Sequence, residues 1–317
     1  MSNKLPQKRG DIVDLVLSDL RQFKNLCDQD HSYAVDENIR FFEAARHVWT
    51  YLPWLILRYP TIDKTKIKEL ADFHLHDGAW EENLLRNLIR LEKSPMIDLV
   101  GPLRQTLLQK LHKISAQSKH PLVVINVGCG AMEIEKQIIS RLKEKPLPVP
   151  VIFIGVDNSE AAFSMARDNL RPFDNLLNEG DELSSDLIAK LKQSDQPYTI
   201  QFIRSDVFTL SALPPNIIDL IFYSKFLHHL PDNDKHKFKE LVTKAADHVI
   251  EFDDYRGWYL PIMSFLSNWR QPILLNGAVF SALRVPTMSE LQDNKADTNW
   301  RIKIIRVKGY IKTYDRS

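Results

Sequence analysis

The chain has 317 residues, of which 44% are hydrophobic and 26% charged, a balance that argues against a disordered, collagen-like or coiled-coil protein. Lys and Arg number 42 and Asp and Glu 41, so the formal net charge is +1 and a bulk basic field for nucleic acid is absent. Two cysteines exclude a disulfide framework and fit the reducing cytoplasm, where we expect the protein to be located. No apolar run reaches the roughly 18 residues of a membrane span, and the N-terminus lacks the apolar core of a signal peptide.

The first third of the chain carries apolar residues at helical spacing. Spacings of three and four residues place them on one face of each helix, as in the stripe from Ile12 to Phe23. We therefore predict an all-α N-terminal domain over residues 1–118, which would serve as an acceptor lid or an interaction surface, including that of a homodimer. Its aromatic stripe, Phe41 to Trp54, fits core packing or a lid. The pair His74 and His76 has metal-ligand spacing, but nothing nearby completes a ligand set, so we predict no metal.

After residue 119 the pattern changes to short apolar, β-branched runs, which are typical of strands. These runs are Leu122–Val127, Val151–Ile154, Thr199–Ile203, Ile217–Phe222 and His248–Phe252. Helical patterns separate them at Glu133–Leu142, Ser159–Leu170, Leu183–Leu191 and Asp232–Ala246. Alternation of this kind predicts a mostly parallel sheet with helices on both faces, and the stretch Trp300–Tyr314 predicts one or two closing strands. Residues 119–317 are thus predicted to form an α/β domain.

Chemically informative residues stand where these strands end, and in an open α/β sheet ligands bind beyond the carboxyl ends of the strands. The first strand runs into Gly128 and Gly130, which permit a tight turn and a close approach to a ligand before the next helix begins. The second ends at Asp157, whose carboxylate can accept hydrogens from both hydroxyls of a ribose. The third ends at Asp206, which can accept from an exocyclic amine. Together and in this order they predict one ligand site.

Residues 120–255 resemble the class I S-adenosylmethionine-dependent methyltransferases, a superfamily with a seven-stranded Rossmann-like sheet. The resemblance rests on residues 124–130 (Val-Ile-Asn-Val-Gly-Cys-Gly), 154–159 (Ile-Gly-Val-Asp-Asn-Ser), 205–207 (Ser-Asp-Val) and 219–230. The last segment, with its Phe-Leu-His-His-Leu, is similar to the fourth strand of the quinone-biosynthesis and related small-molecule methyltransferases.

The resemblance implies S-adenosylmethionine as the cofactor and a role for each matching residue. Gly128 and Gly130 would border its amino-acid and ribose portions, and Asp157 would bind the ribose hydroxyls. Asp206 would contact the adenine amine, with Val207 against the ring. The remaining cofactor-binding positions are Asn126, Cys129, Asn158, Ser224 and Lys225, the last two through the backbone at the methionine end.

Two departures from the family pattern leave alternatives open. Asn126 stands where the family usually has an acidic residue, and Met132 stands where it usually has a third glycine. A cofactor-binding protein without turnover, whose helical domain is a partner interface, is therefore the second hypothesis. A nicotinamide-dependent oxidoreductase would need its third glycine where Glu133 stands, and that carboxylate would repel a pyrophosphate at the helix N-terminus.

Methyl transfer from a sulfonium is an in-line displacement, so alignment and exclusion of water are the enzyme's main tasks. If the acceptor is a hydroxyl, a general base helps, and His228 or His229 is the candidate. The alternative is that one of the two packs under the next helix and the other caps it or faces water. Tyr255 and Asp253, just past the fifth strand, are candidates for lining the acceptor pocket or belong to a polar loop.

The acceptor class follows mainly from what the sequence lacks. No Asn/Asp-Pro-Pro-Tyr motif of base amino-methylation and no long basic tract is present, which weighs against a nucleic-acid acceptor. A protein acceptor stays open. We expect an S-adenosylmethionine-dependent methyltransferase that acts on a small molecule.

Overall fold

The computed structural model describes residues 100–180, 182–230, 232–255, 285–288, 300–305 and 309–316, together with Asp14, Ser18 and Leu291. The chain forms two compact units, one made of residues 85–254 and 293–317 and the other of residues 1–84 and 255–292. Almost all described residues belong to the unit that contains the sheet. The predicted helices before residue 100, the aromatic stripe and the pair His74 and His76 lie outside the described residues.

The described part of the sheet unit alternates helices and strands. In chain order its elements are α1 (Gly101–Ser115), β1 (Leu122–Val127), α2 (Glu133–Glu144), β2 (Val151–Asp157), α3 (Glu160–Leu170), β3 (Leu177–Gly180), α4 (Ser185–Leu191), β4 (Tyr198–Arg204), β5 (Ile218–Ser224), α5 (Asp232–Ala245), β6 (Ala246–Asp253), β7 (Trp300–Ile304) and β8 (Tyr310–Asp315). Short 3₁₀ turns occupy Arg171–Leu176, Val207–Ala212 and Leu227–His229.

The strands form one sheet in the order β3-β4-β2-β1-β5-β6-β8-β7. The pairs β6–β8 and β8–β7 are antiparallel, and every other neighbouring pair is parallel. The predicted Rossmann-like, mostly parallel sheet is therefore confirmed, and seven of its strands are those the sequence patterns indicated. The additional strand, β3, is a four-residue edge strand that pairs with β4, and its sequence Leu-Asn-Glu-Gly is too short and polar to have a strand signature.

The central strands are predominantly apolar because helices cover both faces of the sheet. All six residues of β1 are buried. Leu122 and Val124 pack into a cluster with α1, α2 and α3, whereas Val123 and Ile125 pack into a second cluster with α4 and α5. Successive side chains of a strand point to opposite faces, so one continuous apolar run supplies both cores.

Helix α1 packs with the sheet unit, although the sequence pattern had placed it in the N-terminal domain ending at residue 118. Leu103, Leu107 and Leu111 recur every fourth residue, and each is fully buried in the cluster that also holds α2. Burial of one such side chain stabilises the fold by about 1.5–3 kcal/mol. The described residues thus assign α1 to the sheet unit, and the all-α domain over the preceding residues stays a prediction.

A charged cluster at the amino-terminal end of β6 ties α1 to the sheet. Asp315 of β8 accepts hydrogen bonds from Lys110 of α1 and from Nδ1 of His248 on β6, the latter at 2.9 Å. Burial and the Lys110 charge lower the pKa of His248 against the opposing effect of the Asp315 and Asp247 carboxylates. Burial acts to raise the pKa of Asp315, but the hydrogen bonds and charges of Lys110 and His248 outweigh it, and its pKa lies below the ordinary value.

We expect His248 and Asp315 to make the free energy of unfolding fall as the pH is lowered from 8 to 3. A group whose pKa is lower in the folded than in the unfolded chain takes up its proton more readily when the chain unfolds, so acid favours unfolding. His248 contributes below its ordinary pKa of 6.5, and Asp315 contributes as the pH falls below 3.8 and through its lower folded pKa. Urea titrations across this range would measure the slope.

The variant Lys110→Met should flatten that slope, because it removes a charge that lowers both pKa values. The matched control is Lys113→Met, which changes an exposed lysine on the same helix. Equal pH dependence in the wild type and in Lys110→Met would contradict the expectation.

Candidate functional site

The loop after β1 adopts a conformation that requires glycine. Gly128 and Gly130 have φ angles of +64° and +51°, in the left-handed region that side chains with a Cβ disfavour. The N–H of Gly128 donates to the carbonyl of Val156 at 2.8 Å, which fixes the loop against the end of β2. A Cβ on Gly128 would lie 2.3 Å from Cδ2 of Phe226, so the loop also packs directly against the segment that follows β5.

Met132 has the left-handed backbone conformation of a glycine, the residue that the family pattern leads one to expect at this position. Its φ is +53°, and it is the residue before α2 begins. Its side chain is fully buried among the residues of α1, α2 and α3, and its Sδ would lie 2.9 Å from a Cβ on Gly155 of β2. The left-handed backbone costs roughly 1–2 kcal/mol, which burial of the side chain offsets. The extra side chain therefore fills the core beside β2.

Asp157, the last residue of β2, holds the glycine loop through its carboxylate. Oδ2 accepts the N–H of Gly130 at 2.9 Å, and Oδ1 accepts the N–H of Ser159 at 3.1 Å. Burial raises the pKa of Asp157, and the N–H groups of Gly130, Ser159 and Asn158 partly offset that rise. Asn158 itself is exposed at the turn into α3. The loop and the acidic residue predicted for the same ligand are thus in direct contact.

Asn169 of α3 supports the far end of this loop and was not found from the sequence. Its Nδ2 donates to the carbonyl of Ala131 at 3.0 Å, and its Oδ1 accepts from Nζ of Lys136 at 2.9 Å. An asparagine inside a helical pattern has no sequence signal for such a role, because only the packing of α3 beside α2 brings it to Ala131.

Asn126 contributes an amide oxygen with no protein donor. The residue is 3% exposed, and its Oδ1 has no hydrogen-bond partner among the described residues. An unsatisfied buried polar atom costs about 1–3 kcal/mol, so such a group indicates a donor that the described chain does not supply.

Cys129 is a space-filling residue of the loop. Its side chain is buried, and its Sγ would lie 2.8 Å from a Cβ on Gly155. Burial, followed by the charges of Asp157 and Glu135, raises the pKa of the Cys129 thiol well above its ordinary value. The thiol is therefore protonated at neutral pH and is not an activated nucleophile.

The residues after β4 lie next to the Asp157 turn. Ser205 donates its N–H to the carbonyl of Asp157 at 3.0 Å. Asp206 is exposed, and its Oδ1 accepts the N–H of Phe208 at 2.8 Å, capping the 3₁₀ turn. Val207 is buried beside it. The third predicted strand end is therefore tethered to the second, with an exposed carboxylate at its tip.

The turn after β5 is pinned to the end of β6. Ser224 is half-buried, and Lys225 has a left-handed φ of +52°. The N–H of Lys225 donates to the carbonyl of Phe252 at 2.8 Å, and its ammonium pairs with Asp254 at 3.2 Å. Because that N–H is committed to Phe252, a backbone contact of Lys225 with a ligand would have to use its carbonyl.

His228 and Asp253 form a buried pair across the same two strand ends. Nδ1 of His228 lies 2.9 Å from one carboxylate oxygen of Asp253 and 3.0 Å from the other, and both side chains are almost fully buried. The N–H of Asp254 donates to the same carboxylate at 2.8 Å. The ring of His229 stacks on that of His228, with centroids 4.1 Å apart. Tyr255 is half-buried and is the first residue of the segment 255–292, which belongs to the other unit. Its role in lining the acceptor pocket stays a prediction.

A second buried carboxylate lies on the same face of β6. Glu251 accepts hydrogen bonds from the hydroxyl of Tyr223 at 3.1 Å and from that of Tyr310. Burial and the Glu251 charge raise the pKa of both phenols, which therefore stay protonated and act as donors. Through these hydrogen bonds the cluster links β5 and β8 to β6, two residues before Asp253 on the same strand.

The residues that the structure describes contain no group of three or more His, Cys, Asp or Glu side chains that could hold a metal ion. Likewise, none of the helices in the described ranges combines the length and the apolar character needed to cross a membrane.

No known protein-family model matches the chain, and no curated protein matches it. Among solved structures, it is similar to the plantazolicin methyltransferase BpumL in complex with a triazolic desmethylPZN analog and SAH, at 14% identity and a TM-score of 0.46, over 80% of this chain and 100% of that one. It is similar to a proposed S-adenosyl-L-methionine-dependent methyltransferase from Methanococcus maripaludis (12% identity, TM-score 0.44, 77% and 96% covered). The small RNA methyltransferase HEN1 is similar at 12% identity and a TM-score of 0.43, over 68% of this chain and 25% of that one. Likeness this distant does not establish a shared activity.

Proposed function

We propose that this protein is an S-adenosylmethionine-dependent methyltransferase that acts on a small molecule. The observation that carries the proposal is the contact between the glycine loop and the acid at the end of β2, where Asp157 accepts the N–H of Gly130 at 2.9 Å. The site lies at the carboxyl edge of the sheet, beside the point where the strand order reverses between β1 and β5. Ligands of open α/β sheets bind at such switch points.

The residues present fit this cofactor. Both oxygens of Asp157 accept backbone N–H groups, and the carboxylate retains acceptor capacity for a ribose hydroxyl. The unpartnered Oδ1 of Asn126 suits a donor such as the ammonium of the methionine portion. Asp206 and Val207 follow β4 and are our candidates for contacts with the adenine amine and ring, whereas Ser224, the last residue of β5, and Lys225 are our candidates for the methionine end.

The helix after the glycine loop favours a ligand without phosphate. Glu133, the first residue of α2, is buried, and its Oε1 accepts from Nε2 of Gln137 at 3.0 Å. A carboxylate at a helix N-terminus opposes a second anion there. A nicotinamide dinucleotide would bring its pyrophosphate to this position, whereas S-adenosylmethionine has none.

The protein's contribution to methyl transfer is alignment. When bound, the cofactor supplies an electrophilic methyl group on a sulfonium sulfur. The left-handed loop residues and the pinned turn after β5 hold their backbone groups in place before the ligand arrives, which reduces the entropic cost of reaching an in-line geometry.

The small-molecule acceptor is supported by charge. With a formal net of +1 and no long basic tract, the chain has no bulk positive charge of the kind that favours binding to a phosphate backbone. A polar or aromatic acceptor of modest size does not require such positive charge.

Calorimetry with S-adenosylmethionine and with S-adenosylhomocysteine tests the cofactor assignment, and we expect both to bind. Formation of S-adenosylhomocysteine in the presence of small aromatic hydroxyl, amine and carboxylate acceptors tests turnover. Binding of neither compound would overturn the proposal. Binding of both without consumption in any acceptor panel would favour the second candidate, a cofactor-binding protein without turnover, for which the replacement of the family's acidic residue by Asn126 is the motivating observation.

A further inference from the structure

We propose that His228, positioned by Asp253, removes the proton of a weakly acidic hydroxyl such as a phenol, so that the protein is an O-methyltransferase. This inference rests on the proposed function and names its acceptor class. The observation behind it is the buried contact of Nδ1 with both oxygens of the Asp253 carboxylate, at 2.9 and 3.0 Å.

The contact decides which ring nitrogen can act as a base. An ionised carboxylate only accepts hydrogen bonds, so Nδ1 of His228 must carry the hydrogen. In the neutral ring the lone pair then resides on Nε2, which is the nitrogen able to take a proton. The N–H of Asp254, at 2.8 Å, stabilises the charge of Asp253 in its buried position.

The pair also stabilises the product of proton transfer. When Nε2 takes a proton, the imidazolium of His228 faces the Asp253 carboxylate, and the two opposite charges compensate each other between side chains that are almost fully buried. His229 makes a different contact, since its ring stacks on His228 at a centroid distance of 4.1 Å. The contact with Asp253 fixes Nδ1 of His228 and leaves its Nε2 as the nitrogen that can take a proton.

The turn that carries His228 borders the cofactor loop. Phe226, two residues earlier, packs directly against Gly128, and the N–H of Lys225 is bonded to the carbonyl of Phe252 at 2.8 Å. The imidazole is thus held on a turn that is fixed both to the glycine loop and to the end of β6. A positioned base next to the transfer site is the arrangement that general-base catalysis requires.

The chemistry of the acceptor distinguishes a hydroxyl from the other classes. A carboxylate acceptor is already ionised at neutral pH, and an amine attacks through its lone pair and loses its proton afterwards. A phenol has a pKa of about 10 and must lose its proton as the new bond forms. In the proposed step a lone pair of the oxygen forms the O–C bond, the C–S bond breaks and its electron pair stays on sulfur as a neutral thioether. The proton passes to Nε2 of His228 and from there to water.

The test compares two phenols with the wild type, His228→Gln and Asp253→Asn at pH 8. Phenol itself keeps its proton at this pH, whereas 4-nitrophenol is largely ionised and has none to remove. We expect His228→Gln to lower kcat with phenol by at least about 100-fold and Asp253→Asn by at least about tenfold. With 4-nitrophenol both losses should shrink to a few-fold. His229→Gln should lose less than tenfold with either acceptor.

The matched control is His236→Gln, which changes an exposed histidine on α5 and should leave both rates unchanged. Equal fractional losses with phenol and with 4-nitrophenol would mean that the pair only holds the fold, and would overturn the proposal. If His228→Gln does not fold, Asp253→Asn decides in its place, because it keeps the imidazole and removes its carboxylate partner, and equal fractional losses with the two phenols would again overturn the proposal.

Failure of this inference can be separated from failure of the proposed function. S-adenosylmethionine that binds and is consumed with an amine or a carboxylate, but with no phenol, overturns the hydroxyl assignment and leaves methyl transfer in place. Consumption with none of the acceptors, while the cofactor still binds, also overturns it. Absence of cofactor binding overturns the proposed function itself.

Discussion

Asp157→Ala should bind S-adenosylmethionine at least about 100-fold more weakly than the wild type. The variant removes the acceptor for both ribose hydroxyls, and a hydrogen bond to a charged group is worth about 1.5–3 kcal/mol, with about 1.4 kcal/mol per factor of ten in affinity. It also leaves the N–H of Gly130 without the carboxylate oxygen that it reaches at 2.9 Å, so the loop loses its anchor. Titration calorimetry measures the affinity directly.

Two further variants sharpen this expectation. Asp157→Asn retains one acceptor oxygen but places an NH₂ group against a backbone N–H, because Gly130 and Ser159 each donate to a different oxygen. We expect its affinity to lie between those of the wild type and Asp157→Ala. Asp168→Asn changes an exposed carboxylate on α3 and serves as the control. Unchanged affinity in Asp157→Ala would refute the assignment of this residue to the ribose.

Gly128→Ala should lower the free energy of unfolding by about 2–5 kcal/mol and weaken cofactor binding at least about tenfold. An alanine at φ +64° carries the left-handed penalty of roughly 1–2 kcal/mol. Its Cβ would lie 2.3 Å from the ring of Phe226, and such overpacking typically costs about 1–3 kcal/mol. The ring or the loop must move, and both border the proposed ligand site. Urea denaturation and calorimetry on one preparation give the two quantities.

A double-mutant cycle separates the two causes. Phe226→Ala makes room for the new Cβ, so the cost of Gly128→Ala in that background should fall to the backbone penalty alone. Gly180→Ala is the control, since this glycine has no left-handed φ and the nearest atom to its added Cβ, Nε2 of Gln201, would lie 3.3 Å away. A Gly128→Ala protein as stable as the wild type would show that the loop does not pack closely against Phe226.

The parts of the fold that could be predicted from the sequence are those with a strong local signal. The sequence predicts strand β1 with its observed bounds, because a run of six residues, five of them apolar and mostly β-branched, has few alternatives to a doubly covered strand. Strand β3 has only four residues at the sheet edge, and its pairing with β4 supplies the structure that its own composition does not indicate. The placement of α1 against α2 likewise depends on packing, since its apolar stripe fits any apolar surface.

The residues of the candidate site likewise fall into those that the sequence identifies and those that only the tertiary structure brings to the site. The glycines, Asp157 and Asp206 could be identified from the sequence because each follows a strand directly, and parallel strands bring their carboxyl ends to one edge. Phe226 and Asn169 contact the loop from elements 98 and 38 residues away from their partners Gly128 and Ala131, and no spacing rule relates such positions.

The sequence by itself determined the alternation of strands and helices and the residues at each strand end, because both depend on local periodicity and on neighbours along the chain. Only the tertiary structure decided that His228 has the Asp253 carboxylate as its partner. His228 and Asp253 are 25 residues apart along the chain. They meet because β5 and β6 pair in parallel, with Tyr223 opposite Glu251, so the ends of the two strands lie side by side at the same edge of the sheet. Strand register is a property of the assembled sheet, and the proton chemistry proposed for this protein depends on it.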